Sequence, residues 1–377
     1  MTETNLAESY DVVVVGGGPA GLTSALYTTR LGHDTAVIDR GGGRAAMMLD
    51  THNVVGVPET VSGNEFLQTA VEQVQAYGAD YVRGTVTDVE RATRSATTTD
   101  EDENENENEN EDGEGNDTLF RVESTAGEVT ARRVVLSTGF TDVRPDPPLP
   151  RTGRGLHWCL HCDAYMFVDE PVYVMGHSDA VAHVTTIMLN FTSDVDLLLN
   201  GDEPTWSDET AELLDAHPVD VVEAEVTGKY PDPEDSEWLG GFEFADGTER
   251  DYRGGFAMYG SDYNNDLAAA LGCELNDDGT VAVDDHGHTS VDGVYAVGDL
   301  TRGHNQIPVA MGEGAKTGID LHMSASGHAP TRSPRSRPRR TTDHRCRSRS
   351  STASSRSRGG VVVPARLTPT YTRHQSS

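Results

Sequence analysis

Two hydrophobic periods alternate along the first forty residues of the chain. Residues 11–15 include four consecutive valines, which is typical of a buried strand, and apolar residues between positions 22 and 31 recur at helical spacing. Residues 35–39 form another short apolar run. This order predicts a βαβ unit with a glycine-rich turn between its first strand and its helix.

The same two periods continue beyond this unit. The further predicted elements, in chain order, are an amphipathic helix at 64–77, strands at 82–89, 119–123 and 133–139, a second βαβ pattern at 172–199, strands at 281–283 and 294–299, and a helix at 312–323. Strands that alternate with helices in this way predict an α/β fold.

Two segments between these elements have no hydrophobic period. Residues 100–117 carry 11 acidic side chains and no apolar one. Because such a segment buries no surface to offset its ordering entropy, we predict a disordered loop at about residues 97–117 rather than a metal site. Residues 145–150 are rich in proline, which indicates a domain boundary.

Composition excludes several classes of function. The chain has 29 Lys and Arg against 62 Asp and Glu, so its net charge is −33. A polyanion of this size is not expected to bind nucleic acid or an anionic membrane surface. No apolar stretch approaches the ~20 residues of a membrane span, and the first residues lack a secretory pattern. We therefore predict a soluble, cytoplasmic protein.

The charges are unevenly distributed. Abundant carboxylate with only two lysines, Lys229 and Lys316, suggests adaptation to molar salt, in which repulsion is screened. Residues 327–377, in contrast, hold 12 Arg and one acid. This tail is either a basic arm or coding sequence read in a shifted frame, and we favour the second interpretation. Under both we predict that residues 325–377 are disordered.

The glycine-rich turn carries the first chemical signal. Gly16, Gly18 and Gly21 follow a strand and open a helix, which is the context of a dinucleotide-binding turn. The first glycine permits the tight turn, the second lets the backbone approach a pyrophosphate, and the third lets the helix pack on the strand. Asp39, 18 residues after Gly21, ends the second strand, where a carboxylate accepts ribose hydroxyls.

The second signal is a pair of cysteines, Cys159 and Cys162, which Asp163 follows directly. Two cysteines at this spacing can interconvert between dithiol and disulfide, and the adjacent carboxylate could transfer a proton. A zinc site is the alternative, because His157 and His161 are close by, but structural zinc usually needs a second pair of ligands. We interpret the pair as redox-active and predict no metal site.

These features, in this order, resemble the thioredoxin-reductase-like flavoproteins, which are FAD-dependent pyridine nucleotide-disulfide oxidoreductases. The resemblance rests on the turn at 16–21, on residues 137–139, on the CxxC-Asp segment and on residues 293–299. It covers residues 9–324 apart from the acidic loop. It implies two Rossmann-like, three-layer ββα domains of the FAD/NAD(P)-binding type, the second inserted into the first.

The resemblance also implies domain boundaries and residue roles. The FAD domain is expected at 9–150 and 251–324, with an inserted nucleotide-type domain, which carries the cysteine pair, at 151–250. Cys162 is expected to face the flavin, Cys159 to react with the partner, and Asp163 to act as the acid–base group. The residues implied in cofactor binding are Gly16, Gly18, Pro19, Ala20, Gly21, Asp39, Asn53, Thr138, Gly139, Gly298, Asp299, Gln306 and Ile307.

The inserted domain departs from the family pattern. The family has a second glycine-rich turn there for NADPH, but Ser178 replaces the glycine at which the backbone must approach the pyrophosphate. Residues 155–249 contain 22 acidic residues, one lysine and no arginine that could hold the 2′-phosphate of NADPH. Our hypothesis is that this domain binds NADPH poorly or not at all.

We therefore predict an FAD-dependent disulfide/dithiol oxidoreductase that transfers two electrons between the Cys159–Cys162 pair and the flavin. The expected partner is a thioredoxin-like protein or a small dithiol or disulfide, and a homodimer is the expected assembly. The direction stays open between a reductase similar to thioredoxin reductase and a dithiol oxidase that uses dioxygen. Alternatives from other classes are a non-catalytic flavin-binding redox sensor and a zinc-binding structural protein.

Overall fold

The computed structural model describes residues 6–92, 119–146, 149 and 152–325, all of which belong to one compact unit. The predicted disorder at about 97–117 and over 325–377 falls on residues outside the described ones, except for Ala325 at the end of the last helix. No helix in the described part of the chain combines the length and hydropathy that a membrane span requires.

The described residues form strands and helices in alternation. The strands are β1 (Ser9–Val15), β2 (Thr35–Asp39), β3 (Asp80–Arg83), β4 (Val86–Ala92), β5 (Leu119–Ser124), β6 (Gly127–Leu136), β7 (Phe140–Asp142), β8 (Leu156–His157), β9 (Val172–Met175), β10 (Val195–Leu198), β11 (Asp220–Val222), β12 (Val226–Pro231), β13 (Leu239–Phe244), β14 (Glu249–Asp251), β15 (Gly254–Ala257), β16 (Ser261–Tyr263) and β17 (Val294–Ala296). The helices are α1 (Pro19–Arg30), α2 (Arg44–Met47), α3 (Gly63–Tyr77), α4 (Leu160–Asp163), α5 (Asp179–Met188), α6 (Asp208–Asp215), α7 (Asp266–Ala270) and α8 (Ile307–Ala325), with 3₁₀ turns at Ala164–Phe167 and Gly298–Leu300.

The first sheet is built around β1. Its described strands run in the order β3, β2, β1, β6, β5, β4, and β17 also pairs with β6. The pairs made by β4 and β5 are antiparallel and the others are parallel. Because successive side chains of a strand point to opposite faces, Val12 and Val14 pack with α1, α3 and α8, whereas Val13 and Val15 pack with Phe120 on the other face.

The second sheet is parallel and has the order β11, β10, β9, β15, β8. One face packs against α5, through Val181, Ala182 and Met188. The antiparallel strands β12, β13 and β14 cover the other face, where Phe242 packs against Tyr173. The second sheet therefore also has its strands between two layers of other elements.

The chain enters the second sheet from the first through β7 and returns through β16, and these two strands pair with each other. Since β17 then joins β6, the second sheet is inserted within the first. This topology confirms the predicted α/β class with one Rossmann-like unit inserted into another. The domain boundaries stay a prediction, with one difference: Gly254–Ala257, which we assigned to the second half of the FAD domain, pairs with β9 in the inserted sheet.

Several predicted elements differ in detail. The strand predicted at 133–139 runs from Gly127 to Leu136. The predicted strand at 82–89 is divided into β3 and β4, because the regular strand conformation is interrupted at Gly84. A Cβ added at Gly84 would collide with Ala126. Residues 281–283 form only isolated bridges, and Val281 is buried without belonging to a strand. The strand predicted at 294–299 ends at Ala296 and passes into a 3₁₀ turn.

The last helix begins at Ile307, before the predicted residue 312. Its glycines do not interrupt it, because they permit close contact with α1. A Cβ added at Gly314 would collide with the backbone oxygen of Ala20.

The packing on the first sheet predicts a large cost for Phe120→Ala. Phe120 is fully buried, so the substitution should lower the free energy of unfolding by about 3–5 kcal/mol. Denaturant unfolding measures this change. Val55→Ala is the control: Val55 is fully exposed, and its truncation should cost less than about 0.5 kcal/mol. Equal stability of the two variants would contradict the packing described here.

Candidate active site

The glycine-rich turn lies at the carboxyl end of β1. The helix α1 begins at Pro19, and Gly18 is its N-cap residue. Gly16 has a φ of +105°, and a Cβ there would collide with the backbone of Ser137, while a Cβ on Gly21 would collide with the oxygen of Gly16. At Gly18, in contrast, an added Cβ would have no atom within 4 Å, so the space before the helix is open.

Two other strand ends lie at the same edge of the sheet. Val15 of β1 is in register with Leu136 of β6, and Leu136 is in register with Ala296 of β17. Because these strands are parallel, the segments 137–139 and 298–299 leave the sheet beside the glycine-rich turn. Ligands of open α/β sheets bind in such a crevice beyond the carboxyl ends of the strands.

Asp39 is fixed beside the turn by several donors. Its Oδ1 accepts a hydrogen bond from the backbone N–H of Gly17 at 3.0 Å. Its Oδ2 accepts from the hydroxyl of Tyr81 at 2.7 Å and from Arg83 Nη1 at 2.5 Å. Burial and the neighbouring Asp39 raise the pKa of Tyr81 to about 12, so the phenol stays a donor. A carboxylate has about four lone-pair sites, which leaves capacity for a ribose hydroxyl.

Asp299 is paired with an arginine that the sequence analysis did not select. Arg44 donates from Nε to Asp142 Oδ2 at 3.0 Å and from Nη1 to Asp299 Oδ2 at 3.3 Å. Its guanidinium lies 4.4 Å from the centroid of the Phe140 ring. Burial raises the pKa of Asp299, and the Arg44 guanidinium opposes this shift. Arg44 thus helps to hold an anionic carboxylate at the 298–299 turn.

The cysteine pair forms a disulfide at the start of α4. Cys159 is the N-cap residue of this helix, and the Cys159–Cys162 bond closes its single turn. Gln306 Nε2 donates to Cys159 Sγ at 3.3 Å, and Gln306 Oε1 lies 3.8 Å from Cys162 Sγ. Asn53 Nδ2 in turn donates to Gln306 Oε1 at 2.8 Å. Gln306, which is predicted to bind the cofactor, therefore contacts the redox pair. Asn53, which is also predicted to bind the cofactor, reaches the pair through Gln306.

Asp163 lies between two histidines. Its Oδ2 is 2.7 Å from Nδ1 of the buried His157, and its Oδ1 is 3.6 Å from Nδ1 of His52. From the sequence, His157 was expected only as an alternative zinc ligand, and no local motif marks His52. Within the described ranges, no group of three or more His, Cys, Asp or Glu side chains has the geometry of a metal site.

A cavity of about 610 Å³ joins these parts. Residues 16–20 line one part of its wall, and Cys159, Cys162 and Asp163 line another. The other predicted cofactor-binding residues that line it are Asp39, Asn53, Thr138, Gly139, Gly298, Asp299, Gln306 and Ile307. Gly21 does not line the cavity, because it packs α1 against the strand. The structure therefore brings the predicted residues together, while their individual roles stay predictions.

The corresponding turn of the second sheet has different chemistry. Between β9 and α5, Ser178 takes the N-cap position that Gly18 has in the first turn. Asp179, in the first turn of α5, accepts hydrogen bonds from the backbone N–H (3.0 Å) and hydroxyl (3.1 Å) of Ser207. The Nδ1 of His177 lies 3.3 Å from Asp202 Oδ2. The first turn of α5 thus carries an acidic side chain, whereas the first turn of α1 carries none.

The architecture and the site together define a class of protein. Residues 10–314 match the model of the pyridine nucleotide-disulphide oxidoreductase family, so the chain belongs to this family.

Individual relatives agree with this class. The chain is 28% identical to thioredoxin reductase of Aquifex aeolicus (strain VF5), over 84% of this chain and 94% of that protein. It is 29% identical to NADH dehydrogenase of Bacillus subtilis (strain 168), over 83% of this chain but only 58% of that protein. The chain thus spans little more than half the length of some curated relatives that it matches. The crystal structure of HlmI is similar with a TM-score of 0.72 and 28% identity, over 86% of this chain and 96% of that one.

FAD is the cofactor of this family, and the residues of this chain fit it. The open space at Gly18 lies before the N-terminus of α1, where backbone N–H groups and the helix dipole favour a pyrophosphate. From there the cavity extends to the disulfide. Gly16–Ala20 and Asp39 would hold the phosphates and ribose, and the residues near Gln306 would lie against the ring.

The open space at Gly18 predicts a selective effect of Gly18→Ala. A methyl group meets no protein atom there, so stability should change little, but it would occupy the place of the pyrophosphate. We expect FAD affinity to fall about tenfold or more, as measured by flavin fluorescence titration. Gly312→Ala is the matched control, because a Cβ there also has open space and Gly312 does not line the cavity. Unchanged FAD affinity in the Gly18 variant would argue against this placement.

Proposed function

We propose that this protein is an FAD-dependent oxidoreductase that transfers two electrons between the Cys159–Cys162 pair and the flavin. The proposal depends on one observation, the disulfide on the wall of the cavity that begins at the glycine-rich turn. A structural disulfide would have no reason to face a cofactor cavity. A purely structural or zinc-binding role also leaves this cavity without a purpose.

The residues around the disulfide support thiol chemistry. In this proposal Cys159 exchanges with the substrate, Cys162 faces the flavin, and bound FAD would accept or supply the electron pair. Gln306 Nε2 already donates to Cys159 Sγ, and the same N–H would stabilise a thiolate after reduction. Asn53 holds Gln306 in this orientation, because its Nδ2 donates a hydrogen bond to the amide oxygen of Gln306.

We propose further that NADPH is not the main electron donor. Ser178 and the anionic Asp179 stand at the helix N-terminus that would have to receive the pyrophosphate. Hydrogen bonds from the side chain of Thr210 and from Ser207 lower the pKa of Asp179. Asp202 and Glu203, rather than an arginine, follow the next strand. Both features favour an electron donor without several phosphate charges.

This second turn favours one direction of electron flow, from a substrate dithiol to the cysteine pair and then to the flavin. A dithiol oxidase that uses dioxygen is therefore the second candidate function, beside a reductase similar to thioredoxin reductase. Under both, the partner is a thioredoxin-like protein or a small dithiol or disulfide. We also propose a cytoplasmic location, a high-salt environment and a homodimer, on the grounds of composition and family resemblance.

Loss of either sulfur of the pair should abolish turnover. We expect Cys159→Ser and Cys162→Ser to lower the rate of dithiol–disulfide turnover about 1,000-fold or more, because no intramolecular disulfide can form. Flavin content should stay near that of the parent. Cys273→Ser is the control, since Cys273 is a buried free thiol outside the cavity. Turnover that survives in both single variants would contradict the redox role of the pair. If the parent turns over no dithiol or disulfide, the non-catalytic flavin sensor is favoured instead.

The choice of electron donor is tested by anaerobic titration of the holoprotein. We expect a small dithiol such as dithiothreitol to bleach the oxidised-flavin absorbance, and micromolar NADPH or NADH to leave it nearly unchanged. Peroxide formation from the dithiol in air would support the oxidase. Rapid bleaching by NADPH would contradict the proposed effect of Ser178 and Asp179.

A further inference from the structure

His157, Asp163 and His52 form a line of three side chains on the wall of the cavity. His157 belongs to β8 and is 3% exposed. Its ring lies edge-on to Phe167, with centroids 5.1 Å apart, and near Phe256 and Trp238. At the other end, the side chain of His52 is 30% exposed and lines the cavity.

The hydrogen bonding of His157 defines its role. Nδ1 is 2.7 Å from Asp163 Oδ2, whereas Nε2 is buried and has no partner. A proton on Nε2 would be an unsatisfied buried donor, so the favoured tautomer is neutral and donates its Nδ1–H to Asp163. His157 therefore holds one carboxylate oxygen and leaves Oδ1 directed at His52. It is a positioning residue.

The backbone on both sides of His52 is held in place. Thr51 is buried, and its hydroxyl donates to the oxygen of Val61 at 2.6 Å. Asn53 donates to Gln306, which contacts both sulfurs. His52 is thus placed between two anchored residues. Among the residues that the structure describes, Asp163 is the charged side chain within 4 Å of its ring nitrogens.

The chemistry of thiol exchange favours an imidazole over a carboxylate at this place. In model compounds a thiol has a pKa of about 8.5, an imidazole about 6.5 and an aspartate carboxyl about 3.9. A base that accepts a thiol proton near neutral pH works best when its own pKa lies near that pH. A carboxylate beside an imidazole typically orients the ring and stabilises its protonated form.

We propose that His52 is the acid–base residue of the thiol–disulfide exchange, with Asp163 and His157 as positioning residues. This inference rests on the function proposed above, and it changes the role of Asp163 from proton carrier to support. The resemblance to the family, in contrast, implied that Asp163 itself transfers the proton.

The step balances for a dithiol substrate. A substrate thiol gives its proton to His52, and its sulfur bonds to Cys159 Sγ as the Cys159–Cys162 bond breaks. The second substrate thiol, as a thiolate, then attacks the first substrate sulfur. The substrate disulfide closes, and Cys159 leaves and takes the proton from His52. Two electrons have passed to the cysteine pair, Cys162 is a thiolate, and the second proton is in solvent.

The test is anaerobic reduction of the holoprotein by dithiothreitol between about pH 5 and pH 9, the range that brackets imidazole titration. Flavin absorbance gives one readout. Trapping of the cysteines with a maleimide, counted by mass, gives a second readout that does not depend on the flavin. We expect His52→Gln to lower the rate near neutral pH about 10–100-fold and to remove the acidic limb of the pH profile.

Further variants separate a chemical role from a structural one. Free imidazole should restore part of the rate of His52→Ala. Asp163→Asn should keep the limb but lower the rate, because the neutral amide orients the ring less well. His157→Asn, whose amide can still donate to Asp163, should retain more activity than His157→Leu. His161→Gln is the control, because His161 is an exposed histidine on α4, the helix that carries Asp163.

Two results would overturn the proposal. One is an unchanged pH profile of the reduction rate in His52→Gln. The other is an acidic limb that is lost in Asp163→Asn but kept in His52→Gln, which would make Asp163 the proton carrier. If dithiothreitol reduces the parent pair normally, either result leaves the proposed function intact. If no dithiol reduces the parent pair at any pH, the proposed function fails first, and the role of His52 fails with it.

Discussion

Parallel pairing of β1, β6 and β17 determines where the chain places its chemistry. Residues 16, 137 and 298 are far apart in sequence, yet each follows the carboxyl end of one of these strands. In a parallel sheet such ends share one edge, so the three connections line the same crevice. The close contacts there, such as that of Gly16 with the backbone of Ser137, leave little freedom in how the strands are aligned.

The inserted sheet brings the cysteine pair to this crevice. Its edge strand β8 runs directly into the cysteine pair, and the pair meets Gln306 from the start of α8. The contact matters because electrons pass between sulfur and flavin only when the two are close. The paired strands β7 and β16 connect the two sheets, so the insertion reaches the cavity without interrupting the first sheet.

The two βαβ turns show how one topology supports different chemistry. In the first, Gly18 leaves open space before a helix that has no acidic residue in its first turn. In the second, Ser178 and Asp179 bring a Cβ and a negative charge to the corresponding place. Helix dipoles favour anions at both N-termini, but the second already has an acidic side chain in its first turn. Under the proposed function, a fold with two such turns would use only the first to bind a nucleotide.

The sequence alone determined the parts that depend on neighbouring residues. Strand and helix periods, the turn at Gly16 and the spacing of Cys159 and Cys162 follow from local sterics and covalent geometry, and β2 has the predicted bounds. Only the tertiary structure decided the rest. Val281 is buried without forming a strand, and Arg44 and His52 acquire partners from remote segments. The packing of the sheets determines such partners, and no local sequence pattern encodes which remote residues come into contact.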